Sequence, residues 1–129
     1  MADKPTPRPT DAELAILRVL WERGPSTVRE VHDSLSRTHD SGYTTILKLL
    51  QIMTDKRLVV RDESQRAHVY STTLSQQRTQ TQLLGDLIDR AFGGSPANLV
   101  MQALSASKAS AEELTAIRHL LDRMEEEAK

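Results

Sequence analysis

The distribution of apolar residues in the middle of the chain predicts one amphipathic helix. Between residues 41 and 57, apolar side chains recur at three- and four-residue steps and so share one helix face: Ile46, Leu49, Leu50 and Met53. Hydroxyl residues open the segment. The opposite face is polar and carries Thr44, Thr45, Lys48 and Gln51.

The segment that follows alternates between apolar and polar residues, as two short strands do. The first strand is predicted at Leu58, Val59 and Val60, and a polar turn at 63–65. The returning strand is predicted over residues 67–72, with its two sides formed by Ala67, Val69 and Ser71 and by His68, Tyr70 and Thr72. Arg61 and Arg66 are expected to flank the tip of this hairpin.

Two helices are predicted upstream from their start signals. Thr10 and Glu13 have the spacing of a capping box, in which each side chain bonds the backbone N–H of the other residue. Ser26 or Thr27 begins the second helix, and Thr27 has Glu30 three residues later. Three helices and a short hairpin are the elements of a winged helix-turn-helix. The predicted fold class is therefore mainly α with a small β-hairpin.

Three more helices are predicted in the second half, with Ser75, Ser95 and Ser110 as their caps. Phe92 is the one aromatic residue after residue 75, and about 50 residues with so little bulk are unable to bury enough surface alone. We therefore expect a second copy of the chain to pack against Leu87, Phe92, Leu99, Val100, Leu104, Leu114, Ile117 and Leu121. The alternative is a monomer in which these helices fold back on the first half.

The predicted organisation is a disordered tail at 1–9, a winged-helix domain at 10–74 and a helical dimerisation region at 75–129. Residues 1–80 contain 12 basic and 10 acidic residues, and residues 81–129 contain 5 and 8. Neither half is basic enough to bind DNA by charge alone. Affinity must then depend on where the cations lie and on two copies acting together.

Composition excludes several classes of function. The chain has no cysteine, which excludes disulfides and cysteine-ligated metal sites. No two histidines have the spacing that places two metal ligands on one helix face, and no phosphate-binding loop or nucleophile motif occurs. We expect neither an enzyme nor a cofactor. With no run of about 18 apolar residues and no secretion signal, we expect a cytoplasmic protein without membrane insertion.

Three separated blocks of the chain resemble the BlaI/MecI family of penicillinase repressors: TVREVHDSLS, GYTTILKLLQIMTDKRLVVRDE and RAHVYS. The resemblance covers most of residues 10–128. It implies a winged-helix repressor that binds a pseudo-palindromic DNA operator as a homodimer. It also implies inactivation by proteolysis, after a membrane metalloprotease senses β-lactam or cell-wall stress. The corresponding cut lies within residues 95–104, and we place it between Gln102 and Ala103.

Four residues depart from the pattern associated with this family. Lys48 and Ile52 replace a common Thr and Arg, which changes what the helix can offer to DNA. Arg57 and Gln65 replace a common Gly at the helix exit and in the wing turn, where Gly tolerates positive φ.

The polar face of the predicted third helix carries residue types that reach base edges or phosphate oxygens in the major groove, although the same types also line solvated faces. We assign the major groove to Thr44, Thr45 and Lys48. The DNA backbone is assigned to Thr27, Arg29, Ser41 and Tyr43, and the placement of the wing to Arg66 and His68. Lys4 and Arg8 could form an arm in the minor groove.

Two alternatives remain from the residues alone. The polar helix face could bind protein rather than DNA, as a winged-helix interaction module. The chain could instead be a DNA-binding regulator that responds to a small molecule, although the C-terminal region offers little for a pocket.

Overall fold

The computed structural model describes residues 8–38 and 41–129, which form two compact units. The first unit ends at Leu83 and the second runs from Leu84 to Lys129. The helices are α1 (Asp11–Arg23), α2 (Val28–Leu35), α3 (Tyr43–Asp55), α4 (Gln76–Ala91), α5 (Pro96–Ala106) and α6 (Ala111–Glu127). The strands are β1 (Ser26–Thr27), β2 (Val59–Asp62) and β3 (Val69–Thr72). The predicted fold class is confirmed. Most of the N-terminal tail, including Lys4, lies outside the described residues.

Local side-chain chemistry starts the first two helices. The Thr10 hydroxyl accepts from the Glu13 N–H at 3.2 Å, and the Glu13 carboxylate accepts from the Thr10 N–H at 2.8 Å. Thr27 and Glu30 form the same reciprocal bonds at 3.2 and 2.9 Å. Both predicted capping boxes are therefore confirmed, and of the two predicted starts for α2, Thr27 is the cap.

The sheet has three antiparallel strands in the order β1-β3-β2, where the sequence predicted only a hairpin. The added strand β1 pairs Ser26 with Tyr70 across the sheet. Two residues are too few to show an alternating pattern, so the sequence alone did not predict it. The ladder between β2 and β3 closes at the pair Asp62 and Val69. The prediction that Ala67 and His68 belong to the returning strand is therefore wrong, because they lie beyond the last cross-strand pair.

The core of the first unit lies between helices α1, α2 and α3 and the sheet. Its fully buried side chains include Ile16, Val31, Leu50 and Tyr70, drawn from all three helices and β3. The apolar stripe predicted for α3 faces this core, with Leu49 only partly buried. Burying a side chain such as Leu50 contributes about 1.5–3 kcal/mol, so the stripe fixes which face of α3 points outward.

One charged group is part of this core. Glu13 is buried, and both of its carboxylate oxygens lie 2.9 Å from the Lys56 Nζ at the end of α3. Burial alone raises the pKa of Glu13, but the Thr10 N–H and the adjacent Lys56 outweigh it and hold the pKa below its usual value of 4.5. The ionised pair thus links the start of α1 to the end of α3.

Helix α3 is shorter than the predicted segment, and Ser41 lies before it. Gly42 is its N-cap, without a side-chain hydrogen bond, because glycine has no oxygen to offer. After the helix, Arg57 adopts φ 66°, a left-handed conformation that glycine tolerates better than any other residue. The chain then returns to α1, where the Trp21 indole N–H donates to the Leu74 carbonyl at 3.0 Å.

The predicted caps of the later helices are confirmed. The hydroxyls of Ser75 and Ser95 each accept from a backbone N–H three residues later, at 3.1 Å, and Ser110 forms a capping box with Glu113. Gly93 and Gly94 follow α4 with φ of 58° and 80°. No residue of α5 or α6 is buried. Within residues 8–38 and 41–129, no helix has the length and apolar character needed to cross a membrane.

Candidate nucleic-acid interface

The polar face of α3 is open to solvent. Thr44, Thr45, Lys48 and Gln51 are all exposed, whereas Ile46, Leu50 and Met53 on the other side of the helix are fully buried. Thr44 and Thr45 lie in the first turn, and Lys48 lies one turn further. The helix therefore presents two hydroxyls and one ammonium group from its N-terminal half, and the assignment of these residues to the major groove stays a prediction.

An aromatic ring joins the beginning of α3 to α2. Tyr43 is the first residue of α3, and the Arg29 guanidinium lies 5.6 Å from the centre of its ring. His32 meets the same ring edge-on, with 6.3 Å between ring centres and 64° between planes. A guanidinium over an aromatic face is attracted to it by about 0.5–1 kcal/mol at an exposed site. The ring therefore favours this position of the Arg29 side chain before any ligand arrives.

The acidic residue nearest to Arg29 along α2 is already engaged. Glu30 accepts from the Thr27 N–H and from the Arg23 guanidinium at 3.2 Å. The Thr27 backbone N–H and hydroxyl, together with the charge of Arg23, hold the pKa of Glu30 below its usual value. Among the described residues, Arg29 has no carboxylate partner, so its charge remains available to an anion.

The wing supplies the other side of a shallow groove. This groove is lined by Thr27, Arg29, Tyr43, Arg66 and His68, with Val28, Leu47 and Ala67. Five residues assigned from the sequence to the DNA backbone and the wing thus come together, although they are up to 41 positions apart along the chain. Ser41 is half-buried and precedes α3 without lining the groove.

Internal contacts shape the wing turn and neutralise one of its expected cations. The Asp62 carboxylate accepts from the Ser64 N–H at 2.9 Å, and the hydrogen bonds from Ser64 lower the pKa of Asp62. Arg61 Nε lies 2.9 Å from Glu63. A hydrogen bond that the Arg61 guanidinium donates to the Tyr70 hydroxyl oxygen and the nearby charge of Glu63 raise the pKa of Arg61. Arg61 is therefore occupied within the hairpin, and Arg66 is the wing cation that faces the groove.

Sequence reasoning named Arg29 and Tyr43 separately and missed that they stack. Both residue types were visible in the sequence, with an arginine in the first turn of α2 and an aromatic at the start of α3. Such side chains often pair through a cation–π interaction. Their distance in space depends on how α2 and α3 cross, and no local pattern reports that crossing.

The residues predicted to form a dimer interface lie on α4, α5 and α6. Three are half-buried, namely Phe92, Leu99 and Ile117, and five are exposed, namely Leu87, Val100, Leu104, Leu114 and Leu121. Gln102 and Ala103, which flank the predicted cleavage site, are exposed in α5, where the Gln102 amide donates to Asn98 at 2.8 Å.

Comparison with known proteins identifies the family. The penicillinase repressor family matches residues 9–123. The transcriptional regulator BlaI of Mycobacterium tuberculosis is 34% identical over 118 residues, which cover 89% of this chain and 83% of that protein. The penicillinase repressor of Bacillus licheniformis is 24% identical over 119 residues, covering 92% and 93%.

A solved structure extends the likeness to the fold. The solution structure of monomeric Bacillus licheniformis BlaI in complex with the blaP half-operator is 27% identical to this chain. It matches 58% of this chain and 92% of that chain with a TM-score of 0.50. The extent of the family match, the curated relatives and the shared winged-helix fold agree, and the chain belongs to the penicillinase repressor family, a family of DNA-binding transcriptional repressors rather than enzymes.

Proposed function

We propose that this chain is a dimeric transcriptional repressor that occludes a promoter by binding a pseudo-palindromic operator. The observation that carries the proposal is the groove between α2, α3 and the wing, where Arg29 and Arg66 lie beside the exposed polar face of α3. Two cations that line one groove fit a single stretch of phosphate backbone, with α3 beside it in the major groove. The related BlaI structure bound to a half-operator supports the same use of the fold.

The proposed contacts divide into two groups. Thr44, Thr45 and Lys48 enter the major groove, and Lys48 donates to a guanine edge or to a phosphate. Thr27, Arg29, Ser41 and Tyr43 hold the backbone on one side, and Arg66 and His68 hold it on the wing side. Contacts to the backbone fix the position of the protein, whereas contacts to base edges select the sequence.

The second unit supports the proposed dimer. Its helices leave large apolar side chains in water, among them Leu104 at 38% exposure and Leu121 at 52%. Many large apolar side chains left exposed on neighbouring stretches of sequence favour a partner surface that covers them. Packing two copies through these faces would hold two recognition helices on one side of the duplex, about 34 Å apart, the length of one helical turn of DNA.

The proposed switch is proteolysis in the cytoplasm, linked to a membrane metalloprotease that senses β-lactam or cell-wall stress. The Gln102–Ala103 bond lies within α5, and a helical bond must open locally before it can enter a protease active site. No residue of α5 is buried within a single chain, but the proposed dimer covers Leu99, Val100 and Leu104 of this helix. We therefore expect the cut only when the protein is off DNA or when this helix has opened transiently.

Binding measurements with variants test the DNA contacts. Lys48→Ala should weaken specific binding by about 1–3 kcal/mol if Lys48 contacts a base. If it contacts a phosphate, the salt dependence should flatten by about one unit for each copy. Arg66→Ala should weaken binding to all sequences alike. Arg18→Ala is the control, because it removes a cation from α1 outside the groove.

Two outcomes would refute the proposal. Full operator affinity in a Thr45→Ala, Lys48→Ala double variant would exclude the polar face of α3 as the recognition surface. Absence of binding to any duplex at any salt concentration would favour a protein-interaction module instead.

A further inference from the structure

One side chain on the exposed face of α3 has no polar group. Ile52 is 38% exposed, although it is a large aliphatic residue. Within the first unit, the other large apolar side chains that are similarly exposed are Tyr43, which stacks with Arg29, and Val60 on β2. Ile52 is therefore the one aliphatic side chain that the described part of α3 leaves open on its outward face.

Its position relative to the proposed DNA contacts follows from helix geometry. Thr45, Lys48 and Ile52 are spaced at i, i+3 and i+7, so they lie one above the other along one side of α3. Asp55 is exposed one turn beyond Ile52 and is the first acidic residue on this face. Because a carboxylate repels phosphate, the surface that can enter the groove ends at Ile52.

We infer that Ile52 is a specificity-determining residue, which contacts the 5-methyl group of a thymine in the operator; the inference rests on the proposed function. A hydrocarbon side chain can neither donate nor accept a hydrogen bond, so it cannot read guanine, cytosine or adenine by their polar edges. The thymine methyl is the one apolar group that base pairs present in the major groove.

The distance along the helix also places this thymine. Lys48 and Ile52 are four residues apart, which is about 6 Å along the axis of α3. Base pairs follow one another every ~3.4 Å. The thymine therefore lies within about two base pairs of the base or phosphate that Lys48 contacts, on the side toward the C-terminus of α3.

A uracil scan tests this inference with the full chain. An operator is first recovered by selection from random duplexes, and each thymine is then replaced by deoxyuridine, which lacks only the methyl group. At one position in each half-site, the replacement should weaken binding about fourfold, the effect of removing one buried methyl group. The Ile52→Ala variant should bind the thymine and uracil operators equally well at that position.

Val60→Ala is the matched control, because it also shortens an exposed aliphatic side chain but lies on β2. It should retain the fourfold preference for thymine. Equal tolerance of uracil at every position by the unmodified chain would overturn the inference and leave the proposed function standing. If the Ile52→Ala variant also loses fourfold in affinity when that thymine is replaced by uracil, the inference is overturned, because another residue such as Thr45 then contacts the methyl group. Failure to recover any bound duplex would instead refute the proposed function.

Discussion

Replacing Lys56 by methionine removes the cation that faces a buried carboxylate while keeping most of the side-chain volume. In the unmodified chain, the Lys56 Nζ lies 2.9 Å from both oxygens of Glu13, whose side chain is 2% exposed. Removing one partner of a buried ion pair costs about 3–5 kcal/mol. Because Lys56 is itself 30% exposed, water can partly replace it, and we expect a loss at the lower end, about 3 kcal/mol.

Urea unfolding followed by the fluorescence of Trp21 measures this loss. Trp21 is the only tryptophan, and its indole N–H bonds the Leu74 carbonyl inside the first unit, so it reports on the unit that contains the ion pair. In a separate thermal unfolding experiment, a loss of about 3 kcal/mol should lower the unfolding midpoint by about 12–24 °C in a domain of this length. Arg23→Met is the control, because the Arg23–Glu30 pair is about half exposed on both sides and should contribute much less to stability than the buried pair.

The pH dependence gives a second test. The pKa of Glu13 lies below 4.5 in the folded state, so the pair contributes stability above pH 4.5 and loses it as the pH falls through the folded-state pKa. The difference between Lys56→Met and the unmodified chain should therefore shrink in acid, where a protonated carboxyl needs no cation. A loss below about 1 kcal/mol at pH 7, or a difference that stays constant into acid, would refute the reasoning.

Three further predictions concern the helix exit, the dimer and the switch. Arg57→Gly should raise the free energy of unfolding by up to about 1 kcal/mol, because the left-handed φ of 66° strains a residue with a side chain. Gly24→Ala should lower this free energy, because Gly24 has a φ of 90°. Urea unfolding that shows both variants changing the free energy in the same direction would contradict this. Leu121→Asp should give monomers with a folded first unit and little operator affinity, and sedimentation of the unmodified chain as a monomer at micromolar concentration would exclude the dimer. Mass spectrometry of the protein from induced cells should show a cut between Gln102 and Ala103, and an intact chain would reject proteolysis of α5 as the switch.

The elements predicted well from the sequence depend on residues close together in the chain. A capping box involves residues three positions apart, and both Thr10 with Glu13 and Thr27 with Glu30 form as expected. The apolar stripe of α3 is equally local, because helical periodicity alone places Ile46 and Leu50 on one face. The outward face, and with it the candidate recognition surface, followed directly from this stripe.

The features that escaped prediction depend on contacts between distant residues. Strand β1 forms because Ser26 meets Tyr70, and two residues carry no periodic signal of their own. Glu13 was predicted as a helix cap, but its bond to Lys56 crosses 43 positions. The start of β3 was misplaced by two residues because the end of a ladder depends on its partner strand. The stacking of Arg29 on Tyr43 depends in the same way on how two helices cross.

Thr27 is both the last residue of β1 and the N-cap of α2, so no linker separates the sheet from the helix. An insertion between residues 27 and 28 would break the cap and shift Arg29 relative to Arg66 at once. The exposed turn at residues 63–65 neither caps a helix nor lines the groove, and residues added there would lengthen the wing without disturbing α2. We therefore expect natural or designed insertions and deletions to be tolerated at the tip of the wing and not at the junction of β1 and α2.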